Sequence, residues 1–161
     1  MKILVLSDSH GAILDSQINK IQQYGSYDIL IHCGDKYKDA QKFADKLNIN
    51  EIYQVPGNCD FDVHNKELVI AKVIENKNVL ITHGHIYNVK ENMHKLIKFA
   101  KDNNADAVLY GHTHQSHNEI IDNILFFNPG SSILPKDGKA SFGIIEIEDN
   151  KIKSSIIKLE N

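Results

Sequence analysis

Short apolar runs and amphipathic segments alternate along the first half of the chain. A short apolar run that stops at polar residues is typical of a buried strand. Leu14, Ile18 and Ile21 instead recur at the spacing of one helix face, and Gly25 ends that segment. The pattern therefore predicts a strand at 3–6, a helix that stops at Gly25, a strand at 29–31, a helix at 39–48 and a strand at 52–55.

The second half of the chain is richer in predicted strands. Residues 68–74 and 79–82 predict a hairpin whose turn is Asn76-Lys77-Asn78. Residues 90–102 predict a helix, with Met93 on its buried face. A further strand is predicted at 107–110, followed by antiparallel strands at 120–121, 125–127, 142–147 and 152–159. Together these elements predict an α/β fold with two packed sheets and helices outside, and the length predicts one domain over 1–161.

Composition narrows the class of protein. Apolar residues make up 42% and charged residues 24% of the chain, which is typical of a globular protein. All 18 basic residues are Lys, and 21 acidic residues bring the net charge to −3, which argues against a partner of duplex nucleic acid. Because Arg is absent, phosphate chemistry here would use metal ions, His, Lys or backbone N–H groups.

The number of cysteines and the length of the apolar runs indicate the cellular compartment of the protein. Two cysteines cannot form a disulfide framework, and no apolar run reaches the length of a membrane span. The four apolar residues of 3–6 are too few for the core of a signal peptide. We therefore expect a cytoplasmic protein without a membrane partner.

Metal-ligating residue types follow five of the predicted strands. Ligands gather outside the carboxyl ends of strands in α/β sheets, so these side chains are expected to converge on one edge. The set consists of Asp8 and His10, then Asp35, then Asn58, then His83, and finally His112 and His114. Any one of these residues alone is ordinary turn chemistry, but the repeated placement of all of them predicts a metal site.

The donor types indicate which metal is bound and how many ions. Imidazole mixed with carboxylate suits Mn²⁺, Fe²⁺, Co²⁺, Ni²⁺ or Zn²⁺ better than Ca²⁺ or Mg²⁺, and we take Mn²⁺ as the first choice. Seven ligands exceed what one catalytic ion needs, so two divalent ions sharing a bridging carboxylate fit better. Asp35 is the central candidate for that bridge. Two such ions can clamp the attacking and leaving oxygens of a phosphoryl transfer.

Five short motifs resemble a known family. They are Asp8-Ser9-His10, Gly34-Asp35, Gly57-Asn58-Cys59-Asp60, Thr82-His83-Gly84-His85 and Gly111-His112-Thr113-His114. In order and spacing they resemble the five blocks of the calcineurin-like metallophosphoesterase superfamily. The Gly-Asn-Cys-Asp form, with Asn128-Pro129-Gly130-Ser131 downstream, is similar to its small YfcE-like phosphodiesterase branch. The resemblance covers residues 1 to about 148 and implies a four-layer α/β/β/α sandwich with two mixed β-sheets.

The resemblance also implies roles for individual residues. One ion would be held by Asp8, His10, Asp35 and His114, and the second by Asp35, Asn58, His83 and His112. A water or hydroxide bridging the two ions would attack the phosphorus of a small phosphodiester substrate. The family also implies a homodimer or homotetramer, while the sequence itself leaves the oligomeric state open.

Two residues beside the ligands are candidates for leaving-group or phosphate contacts. Many relatives carry His after the Asn of the third block, where it is thought to protonate the leaving oxygen, but this chain has Cys59. A thiol matches that task poorly at neutral pH, so we expect a preference for diesters and good leaving groups over alkyl monoesters. The alternative is that Cys59 only packs beside the site. His85 lies two residues past His83 and is a candidate to face the substrate.

Other functions compete with this one. Residues 112–117 approach the metal-binding run of metallo-β-lactamase-fold hydrolases, but Ser116 stands where Asp is needed and the remaining ligands would be unexplained. The family resemblance also includes the retromer subunit Vps29, which uses this fold as a protein-binding scaffold with weak or no catalysis. Since suitable residues fill all seven ligand positions, the sequence favours an enzyme.

Overall fold

The computed structural model describes residues 1–159, within which there are ten strands and three α-helices. The domain prediction over 1–161 thus includes two residues that lie outside the described ones. The strands are β1 (Lys2–Leu6), β2 (Ile29–His32), β3 (Glu51–Gln54), β4 (Val69–Ile74), β5 (Lys77–Thr82), β6 (Ala107–Leu109), β7 (Ser116–Ile121), β8 (Ile124–Pro129), β9 (Ser141–Glu148) and β10 (Lys151–Lys158). The helices are α1 (Asp15–Gln22), α2 (Asp39–Leu47) and α3 (His94–Asp102).

The strands form two mixed sheets of five. Sheet A has the order β10-β9-β1-β2-β3, in which β1, β2 and β3 run parallel, β9 runs antiparallel to β1, and β10 runs antiparallel to β9. Sheet B has the order β4-β5-β6-β8-β7, in which β5, β6 and β8 run parallel and the two edge strands run antiparallel. The predicted α/β fold with two mixed sheets is therefore confirmed.

Three apolar clusters fix the order of the layers. The first lies between the sheets and includes Val5 and Ile31 from sheet A and Ile81 and Phe127 from sheet B. The second packs the outer face of sheet A against α1 and α2, and the third packs the outer face of sheet B against α3. Each β-strand of the centre thus buries both faces, which explains its continuous apolar run. The result is the predicted α/β/β/α sandwich.

Three details differ from the pattern-based predictions. The helix predicted at 90–102 begins only at His94, whose backbone N–H donates to the Asn92 side chain at 3.0 Å. A short 3₁₀ turn at His85–Tyr87 precedes it. The hairpin turn falls at Glu75–Asn76, one residue earlier than predicted, with φ of 47° and 63°. Strand β8, predicted among antiparallel strands, pairs in parallel with β6 as well as antiparallel with β7.

The topology brings one end of both sheets together. The parallel strands β1, β2 and β3 of sheet A and β5 and β6 of sheet B each finish in a loop that carries candidate ligands. Backbone hydrogen bonds join these loops, with Asp8 N–H donating to Gly34 O and Gly111 N–H donating to His83 O. Within 1–159, no helix has the length and hydropathy needed to cross a membrane.

Candidate metal centre

Five of the seven candidate ligands adopt a backbone conformation that side chains rarely take. Their φ angles are positive: Asp8 53°, His10 47°, Asp35 49°, His112 71° and His114 57°. Such residues cluster where the surrounding structure over-determines them, commonly at functional sites. Each of these loops therefore turns sharply at the end of its strand and aims a donor group back towards the sheet edge.

Asp8, His10, Asp35 and His114 form one cluster. Each contributes a ligand atom, and these atoms all lie within 4.8 Å of one another. His114 Nε2 lies 3.2 Å from Asp8 Oδ1 and 3.2 Å from His10 Nε2. His10 Nε2 lies 3.9 Å from Asp35 Oδ2. This is the group that the sequence analysis assigned to the first ion.

A second group adjoins the first through Asp35. His83 Nε2 lies 3.4 Å from Asp35 Oδ2 and 3.1 Å from Asn58 Oδ1. The rings of His83 and His112 have centroids 5.0 Å apart. Asp35 therefore stands between the two groups, in the place expected of a bridging carboxylate.

The chemistry of the donor atoms fits divalent cations. The Nδ1–H groups of His83 and His114 donate to the backbone carbonyls of Cys33 (2.6 Å) and Leu134 (2.7 Å). Each neutral ring therefore turns an unprotonated Nε2 towards carboxylate oxygens, a lone pair facing a lone pair. The Oδ1 atom of Asp8 is buried and has no hydrogen-bond partner among residues 1–159. A cation satisfies all these atoms at once, and a carbonyl behind each ligand His is the usual way to fix its tautomer.

The pKa values reflect the same crowding of charge. Burial would raise the pKa of Asp8, but His114, His83 and Ser7 act more strongly together and hold it below its usual value. Burial would also raise the pKa of Asp35, which His83 and Cys59 nevertheless lower well below its ordinary range. Both carboxyl groups are therefore ionised at neutral pH.

The surroundings shift the pKa values of the ligand histidines in opposite directions. The Asp8 carboxylate, 3.2 Å from its Nε2, raises the pKa of His114 above its ordinary value. Burial lowers the pKa of His83, but Asp35 and Asp8 reverse that effect and leave it raised. Burial, reinforced by His83, lowers the pKa of His112 to about 4. The carboxylates beside His83 and His114 thus favour positive charge at this point of the site.

Asp60 and Gly57 hold the Asn58 loop against Asp35. The Asp60 carboxylate accepts the backbone N–H groups of Asp35 (3.1 Å), Gly57 (2.8 Å) and Tyr37 (2.8 Å). A Cβ on Gly57 would lie 2.6 Å from the Asp35 nitrogen, so only glycine permits this approach. Asp60 therefore supports the loop, as a residue that orients ligands without binding metal.

The two candidates for substrate contact lie beside the second group. The His85 ring lies 5.4 Å from His83 and 6.1 Å from His112, and its Nδ1 is buried without a hydrogen-bond partner among residues 1–159. Cys59 is exposed, with its sulfur 3.6 Å from Asn58 Nδ2. Its backbone N–H donates to Asp35 Oδ1 at 2.8 Å. Both side chains are thus adjacent to the predicted ligands.

Three further sets of polar residues lie outside the two ligand groups. Asn128 Nδ2 donates to Gly111 O, and Ser131 Oγ donates to Asp8 O, so their turn supports the ligand loops. His94 is exposed at the start of α3. His117 pairs with Tyr110 and Glu119, which leaves no three-histidine site of the metallo-β-lactamase kind over 112–117.

Sequence patterns missed the partners that are backbone atoms. The carbonyls that fix His83 and His114 belong to Cys33 and Leu134, whose side chains carry no sign of this role. Leu134 lies 20 residues from His114 along the chain. No signal in a single sequence identifies such a contact.

Comparison with known proteins identifies a matching family model. The family model of the calcineurin-like phosphoesterase superfamily domain matches residues 1–150. The phosphodiesterase YfcE of Escherichia coli K12 is 32% identical over 179 aligned positions, which cover 97% of this chain and 91% of YfcE. A crystal structure of a predicted phosphoesterase from Streptococcus pneumoniae TIGR4 superposes with a TM-score of 0.78 and 28% identity, over 98% of this chain and 88% of that one.

Vps29 has the same fold. Zinc-complexed Vps29 from Entamoeba histolytica superposes with a TM-score of 0.79 over 99% of this chain and 100% of its own. At 20% identity, this likeness concerns the fold alone. The family match over most of the chain, together with the YfcE relationship, shows that the chain belongs to the calcineurin-like phosphoesterase superfamily.

Proposed function

We propose that this chain is a metal-dependent phosphodiesterase with a dinuclear site. The observation that carries the proposal is the convergence of Asp8, His10, Asp35 and His114, whose ligand atoms lie within 4.8 Å of one another. Asp35 belongs to this cluster and also contacts His83 of the adjoining group, which contains Asn58, His83 and His112. The relative named phosphodiesterase YfcE supports the choice of reaction.

The residues divide into two ligand sets. Asp8, His10, Asp35 and His114 would hold one divalent ion, and Asp35, Asn58, His83 and His112 would hold the other. When bound, such ions neutralise charge on phosphoryl oxygens and lower the pKa of a coordinated water. Mixed imidazole and carboxylate donors favour a transition metal, with Mn²⁺ proposed first and Ni²⁺, Zn²⁺, Fe²⁺ and Co²⁺ as alternatives.

The chain's own groups orient the site and face the substrate. Cys33 O and Leu134 O hold the rings of His83 and His114 with Nε2 directed inwards. His85, next to His83 and His112, is proposed to contact the phosphoryl oxygens or the leaving group. Cys59 is proposed to lie beside the oxygen of the leaving group. Because a thiol is a weak acid, this position favours substrates whose leaving group departs without being protonated.

The test is hydrolysis of bis-p-nitrophenyl phosphate by chelator-treated protein, with Mn²⁺ or Ni²⁺ added back. We expect turnover only with metal. We also expect at least a hundredfold loss in Asp35→Asn and His112→Ala, since each removes a ligand of the metal that supplies the chemistry. The exposed His94 provides the matched control His94→Ala, which should retain full activity.

A protein-binding scaffold is the alternative function of this fold. No feature of the described residues favours it over catalysis, because every candidate ligand position is filled and the donors converge. Two metal ions bound per chain with no turnover of any phosphodiester would overturn the enzymatic proposal and favour the scaffold. Measuring metal stoichiometry alongside turnover separates the two outcomes.

A further inference from the structure

A fully buried chain of polar side chains lies directly beneath the ligand loops. Ser9, His32 and Asp39 are each 0% exposed. His32 Nε2 lies 2.9 Å from Ser9 Oγ, and Ser9 Oγ lies 2.7 Å from Asp39 Oδ2. We call these three residues the Ser9–His32–Asp39 relay. Buried polar groups of this kind are costly unless every one of them is paired, so their arrangement invites an explanation.

The hydrogen bonds of the relay run in one direction. The Gly34 backbone N–H donates to His32 Nδ1 at 3.2 Å, so that nitrogen carries no proton in the neutral ring. Nε2 then carries the proton and donates to Ser9 Oγ, which in turn donates to the Asp39 carboxylate. The relay therefore starts at a backbone amide and ends at an anion, and each hydroxyl and ring nitrogen has one defined role.

The relay connects the two loops that carry three of the candidate ligands. Ser9 lies between Asp8 and His10, and the relay begins at Gly34, which precedes Asp35. Asp39 Oδ2 also accepts the Gly11 backbone N–H at 2.8 Å, which closes the β1–α1 loop against the start of α2. Moving any member would shift these loops relative to each other.

The ligand loops need such support because their backbone is strained. Asp8, His10 and Asp35 all have φ near 50°, a conformation that surrounding contacts must maintain. Two backbone hydrogen bonds, Asp8 N–H to Gly34 O and His10 N–H to Asp35 O, join the loops directly. The relay joins the same loops through side chains.

We propose that the Ser9–His32–Asp39 relay is a positioning device that sets Asp8 and His10 against Asp35 at the metal-binding distance. The relay residues do not touch substrate or metal; they act through the loops. This inference rests on the proposed metal site and extends it to three residues that are not metal ligands.

The test compares Ser9→Ala with Ser16→Ala, a change of the same type on the exposed side of α1. The probe is Co²⁺ alone, followed by calorimetric titration and by the visible d–d absorption of the bound ion. Loss of a partner behind a ligand typically weakens metal affinity by about 10- to 100-fold. We expect Ser9→Ala to bind Co²⁺ at least tenfold more weakly with an altered d–d spectrum, and Ser16→Ala to match the wild type.

A conservative change separates positioning from simple stability. Asp39→Asn retains an oxygen that can accept from Ser9 Oγ and Gly11 N–H, so it should keep more Co²⁺ affinity than Asp39→Ala. Ser9→Ala protein that binds Co²⁺ with wild-type affinity and spectrum would overturn the inference, whether or not its melting temperature falls. Wild-type protein that takes up no Co²⁺ would overturn the proposed function and this inference together.

Discussion

Cys59 lies beside the second group of proposed ligands, and its surroundings make its role testable. The backbone N–H of Cys59 donates to Asp35 Oδ1, and a side-chain substitution leaves that hydrogen bond in place. Cys59→His would add an imidazole with a pKa near 6.5, a better general acid at neutral pH. We expect hydrolysis of an alkyl phosphoester to rise at least tenfold, measured as kcat/KM.

The leaving group provides the internal control for this prediction. p-Nitrophenolate leaves without protonation, so the rate on bis-p-nitrophenyl phosphate should stay within about twofold in Cys59→His and in Cys59→Ala. An equal rise on both substrates would show that the imidazole acts elsewhere than at the leaving oxygen. No rise on the alkyl ester would place residue 59 away from the leaving group.

His32 predicts a dependence of stability on pH. Burial lowers the pKa of His32 to about 4, against 6.5 in the unfolded chain. Between these values the unfolded state binds a proton that the native state does not, so the free energy of unfolding falls as the pH drops from 6.5 towards 4. The full difference corresponds to about 3 kcal/mol. Other charged groups that face His32 are Asp39, Asp8 and Asp60, which oppose this lowering, and His83, which adds to it.

The His32 contribution is isolated by comparing variants. His112 and His85 also have lowered pKa values and act with the same sign, whereas the raised pKa values of His83 and His114 exert their effect above pH 6.5. Urea unfolding of chelator-treated protein from pH 7 to 4 should show a shallower fall for His32→Gln than for wild type. Exposed His94→Gln should follow the wild type. Parallel curves for His32→Gln and wild type would contradict the prediction.

At the scale of elements, apolar periodicity predicted the position of each strand and α-helix of residues 1–159, because burial on one or both faces leaves a regular trace. It failed where polar residues lie at the end of an element. Strand β7 begins at Ser116, although only 120–121 was predicted, and α3 starts at His94, four residues later than the pattern suggests. Glu75–Asn76 forms the hairpin turn with two positive φ angles. The parallel pairing of β8 with β6 depends on which strands become neighbours in space, which periodicity does not encode.

The candidate site also contains features that the sequence predicts and features that it does not. Its candidate ligands were predictable because each follows a strand and parallel strands end at one edge. Their left-handed backbone, the carbonyls behind His83 and His114, and the Ser9–His32–Asp39 relay were not, because each depends on contacts between loops.

The packing of the two sheets makes a prediction about β9. A Cβ added at Gly143 would lie 2.6 Å from Phe127 Cζ and 3.3 Å from Val5 Cβ, inside the cluster between the sheets. Gly143→Ala should therefore lower the free energy of unfolding by about 1–3 kcal/mol through overpacking. Phe127→Leu, combined with it, should recover part of that loss, measured by urea unfolding in a double-mutant cycle. Strictly additive effects would mean that the two residues do not compete for this space.

At the scale of the whole molecule, the proposed ions would tie the two sheets together. Asp8, His10, Asp35 and Asn58 follow strands of sheet A, whereas His83, His112 and His114 follow strands of sheet B. The unfolded chain cannot present donors from both sheets at once. Metal binding should therefore favour the native state strongly, by the linkage between ligand binding and folding.

This linkage predicts a metal-dependent melting temperature. At a free Mn²⁺ concentration of about 100 Kd each occupied site contributes about 2.7 kcal/mol, which for a chain of this size raises the melting temperature by roughly 5–10 °C per bound ion. Differential scanning calorimetry of chelator-treated protein, with Mn²⁺ added back, measures it. Asp35→Asn should lose most of the shift because Asp35 belongs to both ligand sets. Ca²⁺, which imidazole donors suit poorly, should produce much less. An equal shift with Ca²⁺, or a full shift in Asp35→Asn, would mean that the stabilising ion binds elsewhere than between the sheets.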